Sequence, residues 1–251
     1  MLPFLTIGPI RIPLYGLCIA LGIALGLVFC FRRLKARGEG GRAFATLLLY
    51  AALFGVLGAK LLYVLLSPPA PGVPLAERIF SGFVFYGGIL GACLGLFLAK
   101  RDSGASPLAY ANLGLPALPL AQAFGRIGCF FAGCCHGFYV REPFGIAFRE
   151  AIGAPNGVPL FPVQLIEAAF DLGLFLTLWL FSKKPRKLGS ALAIYLIAYP
   201  SLRFALEFLR GDAARGLVFG LSISQWISIP LLCWGLLLAA PRKRRDARLL
   251  A

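Results

Sequence analysis

Seven apolar segments, each close to the roughly 20 residues that a helix needs to cross a bilayer, constrain this chain more than any other feature. They run over about 12–31, 43–66, 83–99, 108–131, 160–182, 189–209 and 222–240. Of the 251 residues, 59% are hydrophobic and only 14% are charged, which is more apolar surface than a water-soluble domain of this length can bury. The sequence therefore predicts an all-α integral membrane protein, a seven-transmembrane-helix bundle.

One longer polar stretch, at about 132–159, combines glycine, proline and charged residues. We expect it to be an ordered extracytoplasmic excursion. No soluble domain, low-complexity tract or internal repeat stands out, so we interpret 1–251 as a single polytopic membrane domain. Met1 to Arg11 lacks the charged opening region of a signal peptide, and the first apolar segment is long enough to span. We therefore expect no cleaved signal peptide.

Basic residues are concentrated in loops at alternate ends of the predicted helices. Sixteen of the 25 lysines and arginines follow the first, third, fifth and seventh segments. Cytoplasmic loops carry such an excess, so we expect the N-terminus outside and the C-terminus in the cytoplasm. The net charge of +15 then needs no nucleic-acid partner, because no separate basic domain exists to bind one. Five other arginines fall on the opposite side: Arg11, Arg78, Arg141, Arg149 and Arg215.

Most polar side chains inside the apolar segments fall in the half predicted to face outward. Ionisable groups within a membrane usually face the protein interior or a wet cavity, where they pair with one another. The sequence therefore predicts a polar chamber in the outer half of the bundle; the alternative is a set of side chains that reach the interface singly. The residues are Tyr15, Lys60, Tyr86, Gln122, Arg126, Gln164, Glu167, Asp171, Arg203, Glu207, Arg210, Ser224 and Gln225.

Two arginines are candidate ligands for an anion. Arg203 and Glu207 are four residues apart, so they share one helix face and can form an ion pair. The pair is either structural, or it orients Arg203 while its fork-shaped guanidinium keeps donors for a phosphate. Arg126 lies in the glycine-rich run 125–137 and offers a second guanidinium. Two arginines and Lys60 at acyl-chain depth suggest an anionic phospholipid headgroup.

Cysteine is concentrated in the same glycine-rich run, where Cys129, Cys134 and Cys135 precede the chain's one histidine, His136. Thiolates and imidazole ligate zinc and copper, but the spacing is not C-x-x-C, and the adjacent Cys134 and Cys135 cannot easily bind one ion. A disulfide or redox role is a further alternative. We expect no metal: the cysteines are interpreted as small packing residues near a helix end.

Several motifs, in the right order over nearly the whole chain, resemble the prolipoprotein diacylglyceryl transferase family. Each motif is weak alone, but the combination is specific, and the family consists of seven-helix proteins with the N-terminus outside. The motifs are the Gly125-Arg126-Ile127-Gly128 run extending to Gly137, then Arg141 to Phe148, Pro162 to Glu167, Leu202 to Asp212 and Leu221 to Gln225, with Pro13 to Gly16 and Gly58 to Val64 nearer the N-terminus.

The resemblance implies a transferase of the bacterial plasma (inner) membrane, with its active site in the outer half. Such enzymes move the diacylglyceryl group of phosphatidylglycerol onto the lipobox cysteine thiol of an exported lipoprotein precursor, and they release glycerol phosphate. The implied partners are therefore this lipid, the precursor and the bilayer, with no cofactor. The acceptor thiol has an ordinary pKa of about 8.5 and must lose its proton to become a nucleophile.

The resemblance also implies roles for individual residues. It places Arg126 and Arg203 at the headgroup phosphate, with Glu207 in support of Arg203. The implied catalytic residues are Arg126, Arg203, Glu207 and Tyr86. The residues implied in substrate binding are Tyr15, Lys60, Gly125, Gly128, Gly137, Gln164, Glu167, Arg210 and Gln225.

Three features depart from the family pattern. Tyr86 stands where the family usually has a histidine, and tyrosine, with a pKa of about 10, is a poor base at neutral pH. Cys129 and Cys134 replace an asparagine and an acidic residue, and Phe161 replaces the histidine expected before Pro162. Two alternatives stay open: a related phospholipid-dependent transferase with a different acceptor, and a non-catalytic lipid-binding membrane protein.

Overall fold

The computed structural model describes residues 3–38, 41–66, 84–104, 106–184, 187, 189–211 and 217–240. Within these ranges the chain forms eight helices and three two-stranded antiparallel hairpins. The helices are α1 (Leu14–Ala36), α2 (Gly41–Leu66), α3 (Phe85–Ser103), α4 (Pro107–Gly114), α5 (Ala117–Ala132), α6 (Val163–Phe181), α7 (Ser190–Glu207) and α8 (Ile223–Ala239). The strands are β1 (Phe4–Ile7), β2 (Ile10–Pro13), β3 (Ile146–Ala147), β4 (Pro159–Leu160), β5 (Leu217–Val218) and β6 (Leu221–Ser222).

Each apolar segment predicted from the sequence contains a helix. The fourth segment contains two, because α4 ends at Gly114 and α5 begins at Ala117. Pro116 lies at this break and has no backbone N–H to continue the ladder of the preceding helix. Three of the described helices, α1, α2 and α6, are long and apolar enough to cross a membrane. The chain is therefore mainly helical, with helices of the membrane-protein type; seven spans and the sidedness of the ends stay predictions.

The hairpins were not predicted from the sequence. Their strands are only two to four residues long, too short for the alternation of apolar and polar residues that identifies a strand. Two hairpins lead directly into helices: β2 ends at Pro13, next to the start of α1, and β6 ends at Ser222, next to the start of α8. The hairpins thus belong to the connections, and the fold is otherwise helical as predicted.

Residues 33–110 form one compact unit, in which α2 packs along α3. Glycines bring the two helix backbones into direct contact. A Cβ atom added to Gly91 would overlap the Phe54 carbonyl oxygen, and one added to Gly87 would overlap that of Gly58. Small residues at helix crossings permit this close approach in membranes, where association depends on packing rather than on water exclusion.

Residues 1–32 and 111–251 form a second compact unit, in which α5 packs on α6, α6 on α7 and α7 on α8. A Cβ atom on Gly235 of α8 would lie 2.9 Å from the backbone of Leu196 on α7, so this contact is also close. The packing places α5, α6 and α7 side by side, and these helices carry most of the predicted polar chamber. The buried core of α6 and α7 is Leu174, Leu178, Ala191, Tyr195 and Leu196.

The chain that follows α5 folds back onto the ends of α6 and α7. We call residues 136–138, 161 and 209–211 the loop junction, because backbone hydrogen bonds join these three short segments. Phe148, between β3 and β4, is buried with Ala154 and Leu160, which gives the excursion a small core of its own. The junction's hydrogen bonds are Gly137 N to Phe161 O, Phe138 N to Leu209 O, Phe161 N to Phe138 O and Gly211 N to His136 O, at 3.0–3.1 Å.

Gly91→Ala is expected to destabilise the α2–α3 pair by about 1–3 kcal/mol, because the added methyl group overlaps the Phe54 carbonyl and forces the helices apart. The measurement is the apparent melting temperature of purified protein in detergent. Gly88→Ala on the same helix is the matched control, since its Cβ would meet Ala59 at 3.5 Å, an ordinary contact. Equal melting temperatures for the two variants would contradict the proposed packing.

Candidate active site

A buried carboxylate on α6 lies between two arginines from neighbouring helices. The side chain of Glu167 is 1% exposed, and its Oε1 lies 2.9 Å from Nη2 of Arg126 on α5. Its Oε2 lies 3.3 Å from Nη1 of Arg203 on α7. Glu167 thus brings together the two guanidinium groups that the family resemblance implies at one phosphate. We call Arg126, Glu167, Arg203 and Glu207 the charge network.

Arg203 is held on several sides. Its Nη2 donates to Glu207 Oε2 at 2.9 Å, the partner that the four-residue spacing predicts, and to Ser224 Oγ on α8 at 3.1 Å. Together with Nη1 on Glu167, these contacts join α6, α7 and α8. The Arg203 side chain is only 9% exposed. Its guanidinium is therefore fixed in position by oxygen acceptors from three helices.

Arg126 is more accessible than Arg203. Its side chain is 21% exposed, and Glu167 is its ion-pair partner among the described residues. Glu167 Oε1 lies at contact distance but has no aligned hydrogen bond, so the pair is electrostatic rather than tightly directed. Among the described residues, an added Cβ on the adjacent Gly125 would meet nothing within 4 Å. Arg126 therefore has both space beside it and donors that an anion can use.

The polar region continues beyond the charge network. Asp171, one turn along α6 from Glu167, is fully buried, and neither of its carboxylate oxygens has a hydrogen-bond partner among the described residues. The Tyr195 hydroxyl donates to Gln122 Oε1 at 3.0 Å, and the Tyr195 ring stacks on that of Tyr199 at 5.4 Å. Buried carboxylate oxygens such as those of Asp171 need a hydrogen-bond donor, and a water molecule or a ligand supplies one where there is space to hold it.

Gly128 lets the start of α1 approach α5 closely. A Cβ atom on Gly128 would lie 3.2 Å from the Tyr15 Cα and 3.1 Å from the Cys18 Cβ. This contact is within one helical turn of Arg126, so it places Tyr15 beside the part of α5 that carries the guanidinium. Tyr15 is 43% exposed. The structure thus places the backbone of Tyr15 against α5 at Gly128, two residues after Arg126; a substrate role for Tyr15 and Gly128 stays a prediction.

Two glutamines predicted to bind substrate hydrogen-bond to the backbone, and their substrate role stays a prediction. Gln164 Nε2 donates to the Cys134 carbonyl at 2.8 Å. Gln225 forms a capping box with Ser222 at the start of α8, and its Nε2 also donates to the Phe204 carbonyl at 3.3 Å. The structure gives both a positioning role. The spacing of Ser222 and Gln225 is itself a capping-box signal, which the sequence analysis missed.

Gly137 and Arg210 lie in the loop junction, paired by backbone hydrogen bonding. A Cβ on Gly137 would lie 2.6 Å from the Phe161 carbonyl oxygen, so glycine is required here for close approach of the backbones. The Arg210 side chain hydrogen-bonds Cys135. Both residues therefore make structural contacts near the ends of α6 and α7, the helices that carry Glu167 and Arg203. These contacts come in addition to the substrate role predicted for them.

Three cysteines converge at the end of α5. The ligand atoms of Cys129, Cys134 and Cys135 all lie within 4.8 Å of one another. The adjacent Cys134 and Cys135 were expected not to bind one ion easily, yet their sulfur atoms lie close together, because left-handed residues at Gly133 (φ +66°) and Cys135 (φ +58°) turn the chain back on itself. Hydrogen bonds from Cys129 and Cys134, and then the charge of Arg210, lower the pKa of the Cys135 thiol below its ordinary value.

Two further candidates lie in the other compact unit. Lys60 is on α2, with its Nζ 5.8 Å from the centre of the Tyr63 ring. Tyr86 is in the first turn of α3, and its side chain lies outside the described part of the chain. Their membership of the site therefore stays a prediction. Arg78 and Arg215, used in predicting sidedness, also fall outside the described residues.

Nearly the whole chain is similar to known proteins. Residues 3–240 match the family model described as prolipoprotein diacylglyceryl transferase. A protein of Clostridium perfringens named phosphatidylglycerol–prolipoprotein diacylglyceryl transferase 2 is 40% identical, over 91% of this chain and 90% of its own length. A Clostridium tetani protein with the same name without the numeral is 37% identical, over 86% of this chain and 87% of its own length. A Cupriavidus pinatubonensis protein with that name is 34% identical, over 96% of this chain and 91% of its own length. The chain therefore belongs to the prolipoprotein diacylglyceryl transferase family.

Proposed function

We propose that this protein transfers the diacylglyceryl group of phosphatidylglycerol to the lipobox cysteine thiol of an exported lipoprotein precursor and releases glycerol phosphate. The names of its relatives specify this lipid and this class of acceptor. The observation that carries the proposal is the pair of guanidinium groups on one buried carboxylate, Glu167, in a largely apolar helical protein. Such a pair suits a phosphate that arrives attached to two acyl chains.

The reaction is a substitution at a glyceryl carbon. The sulfur of the deprotonated thiol forms a bond to that carbon, the bond from the carbon to a phosphate oxygen breaks, and the proton given up by the thiol balances the charge of the released phosphate monoester. The phosphate keeps the electron pair and leaves as part of glycerol phosphate. Negative charge grows on the phosphate as that bond breaks, so a guanidinium beside it stabilises the transition state more than it stabilises the bound lipid.

The two arginines have different tasks in this proposal. Arg126 is the more exposed and has open space next to it, so it meets the phosphate directly. Arg203 is held by Glu167, Glu207 and Ser224, so it fixes the position of Glu167 and adds positive charge behind Arg126. Removing Arg203 leaves the buried Glu207 without its ion-pair partner and Glu167 with Arg126 alone, whereas removing Arg126 leaves both carboxylates paired with Arg203.

Arg126→Ala is expected to reduce turnover by about a hundred- to a thousandfold, by analogy with the loss of one charge-stabilising donor in other enzymes, with little change in melting temperature. Arg126→Lys restores activity only in part, because an ammonium group is a point charge where a planar fork is wanted. The measurement is glycerol phosphate release per mole of folded protein. Arg149→Ala, at an exposed position outside the charge network, is the control.

Arg203→Ala is expected to lower both turnover and melting temperature, and Glu207→Gln is expected to be milder, because it retains a hydrogen-bond acceptor for Arg203. Breaking a buried ion pair by removing one partner costs about 3–5 kcal/mol. Wild-type turnover by folded Arg126→Ala or folded Arg203→Ala protein would contradict the mechanism.

The transferase activity itself is tested with purified protein, phosphatidylglycerol and a lipobox peptide. We expect glycerol phosphate release that depends on the peptide's cysteine, together with a peptide mass increased by one diacylglyceryl group. A peptide with serine in place of that cysteine is the control. Release with a different thiol acceptor only, or lipid binding without release, would replace the proposal with one of the two alternatives raised by the sequence.

We further propose seven spans in the bacterial plasma (inner) membrane, with the N-terminus outside and the charge network in the outer half. The alternating basic loops support this orientation. The test replaces Gly38 or Glu150 with a single cysteine in a cysteine-free background and measures its labelling by a membrane-impermeant thiol reagent on intact cells. We expect position 150 to react and position 38 to react only after the membrane is opened. Labelling of position 38 from outside would refute the orientation.

A further inference from the structure

The sulfur cluster at the end of α5 has no part in the transfer chemistry described above. Its members are Cys129, Cys134 and Cys135, and their ligand atoms lie within 4.8 Å of one another. We infer that these three cysteines bind one soft d10 metal ion, Cu(I) or Zn(II), as thiolates. The inference is independent of the transferase activity.

The geometry of the three sulfur atoms is close to that of a metal-bound cluster. At a metal–sulfur distance of about 2.3 Å, sulfur atoms around a three- or four-coordinate ion lie about 3.8–4.0 Å apart. The observed separations of up to 4.8 Å therefore close by side-chain rotation and shifts of no more than about 1 Å. Neither helix α5 nor its packing on α6 has to move for the three sulfurs to meet one ion.

The chain path that produces this cluster is built into the fold. The backbone N–H of Cys134 donates to the Cys129 carbonyl at 3.1 Å, which caps α5. The left-handed residues Gly133 and Cys135 then direct both later thiols back towards Cys129. Gln164 on α6 donates from its Nε2 to the Cys134 carbonyl at 2.8 Å. The three ligands thus come from a short segment that is fixed at both ends.

Charge and access also suit a thiolate-bound ion. Three thiolates around Cu(I) or Zn(II) carry a net negative charge, which nearby cations offset. Arg126 lies one helical turn before Cys129, and Arg210 hydrogen-bonds Cys135. Cys129 is buried, whereas Cys134 and Cys135 are partly exposed. An ion can therefore enter from the exposed side and be held against the buried sulfur.

The donor set selects the class of ion. Sulfur ligands favour soft ions such as Cu(I) and Zn(II), whereas Mg²⁺ and Ca²⁺ need oxygen donors. Within the described residues, the group of potential ligands contains these three cysteines and no carboxylate or imidazole. His136 follows directly in sequence, but its Nδ1 lies 2.8 Å from the Gly137 carbonyl oxygen, in the loop junction. Three sulfurs satisfy Cu(I) completely and leave Zn(II) one open position.

Direct binding measurements test the inference. Full-length protein in detergent, prepared reduced and treated with chelator, is titrated anaerobically with Cu(I) against a competing chelator, and separately with Zn(II). We expect about one ion per chain, near-ultraviolet thiolate-to-metal absorption for Cu(I), proton release on binding, and a higher apparent melting temperature. Cys129→Ser, Cys134→Ser and Cys135→Ser each lose these signals. Cys93→Ser/Cys233→Ser, which alters two exposed cysteines, retains them.

A second measurement uses the unaltered chain and so does not depend on the folding of variants. Alkylation followed by mass spectrometry is performed with and without each ion. We expect the ion to protect Cys129, Cys134 and Cys135, while the exposed Cys93 and Cys233 react equally in both samples. Equal alkylation of the cluster with and without both ions would overturn the inference. So would undiminished metal binding by a folded variant with all three cysteines replaced, or a disulfide within the cluster in protein isolated without oxidant.

Discussion

The shared carboxylate of Glu167 is the interaction on which the described arrangement of α5, α6 and α7 depends. Glu167 is nearly fully buried, and it contacts a guanidinium on each side. A buried charge without a partner is costly, so the two arginines and this carboxylate constrain one another's position. Through Arg203 the constraint extends to Ser224 on α8. Apolar packing alone permits these helices to rotate about their axes, whereas this set of ion pairs does not.

The helices could be predicted from the sequence because their signal is local. An apolar run of about 20 residues is visible without knowledge of its neighbours, and so is the pairing of Arg203 with Glu207 on one helix face. The role of Glu167 could not be predicted in this way. Its two partners come from other helices, and which residues meet across a helix contact depends on rotation and register that spacing within one helix does not determine. The family motifs pointed to Arg126, Glu167, Arg203 and Glu207 without giving the contacts among them.

The convergence of the three cysteine side chains and the presence of the hairpins could not be predicted, for a different reason. Adjacent side chains on an extended or helical chain point apart, so Cys134 and Cys135 were expected to diverge. A non-glycine residue with positive φ is uncommon, and nothing in the sequence signals one at Cys135. The short strands are likewise defined by pairing between distant segments, such as Ala147 with Pro159, and not by a pattern within either strand.

The loop junction fixes the two ends of the excursion, whereas the turn at 141–144 is exposed. Because backbone hydrogen bonds hold residues 136–138 next to 161 and 209–211, the chain enters and leaves the excursion at neighbouring points. Lengthening a loop whose ends are already held together costs little, about 0.6 kcal/mol for each doubling of its length. The exposed turn around Phe144 can therefore accept an inserted epitope or a fluorescent label. An insertion at Gly137 or Gly211 has no such freedom, since both sit in backbone contact with neighbouring segments.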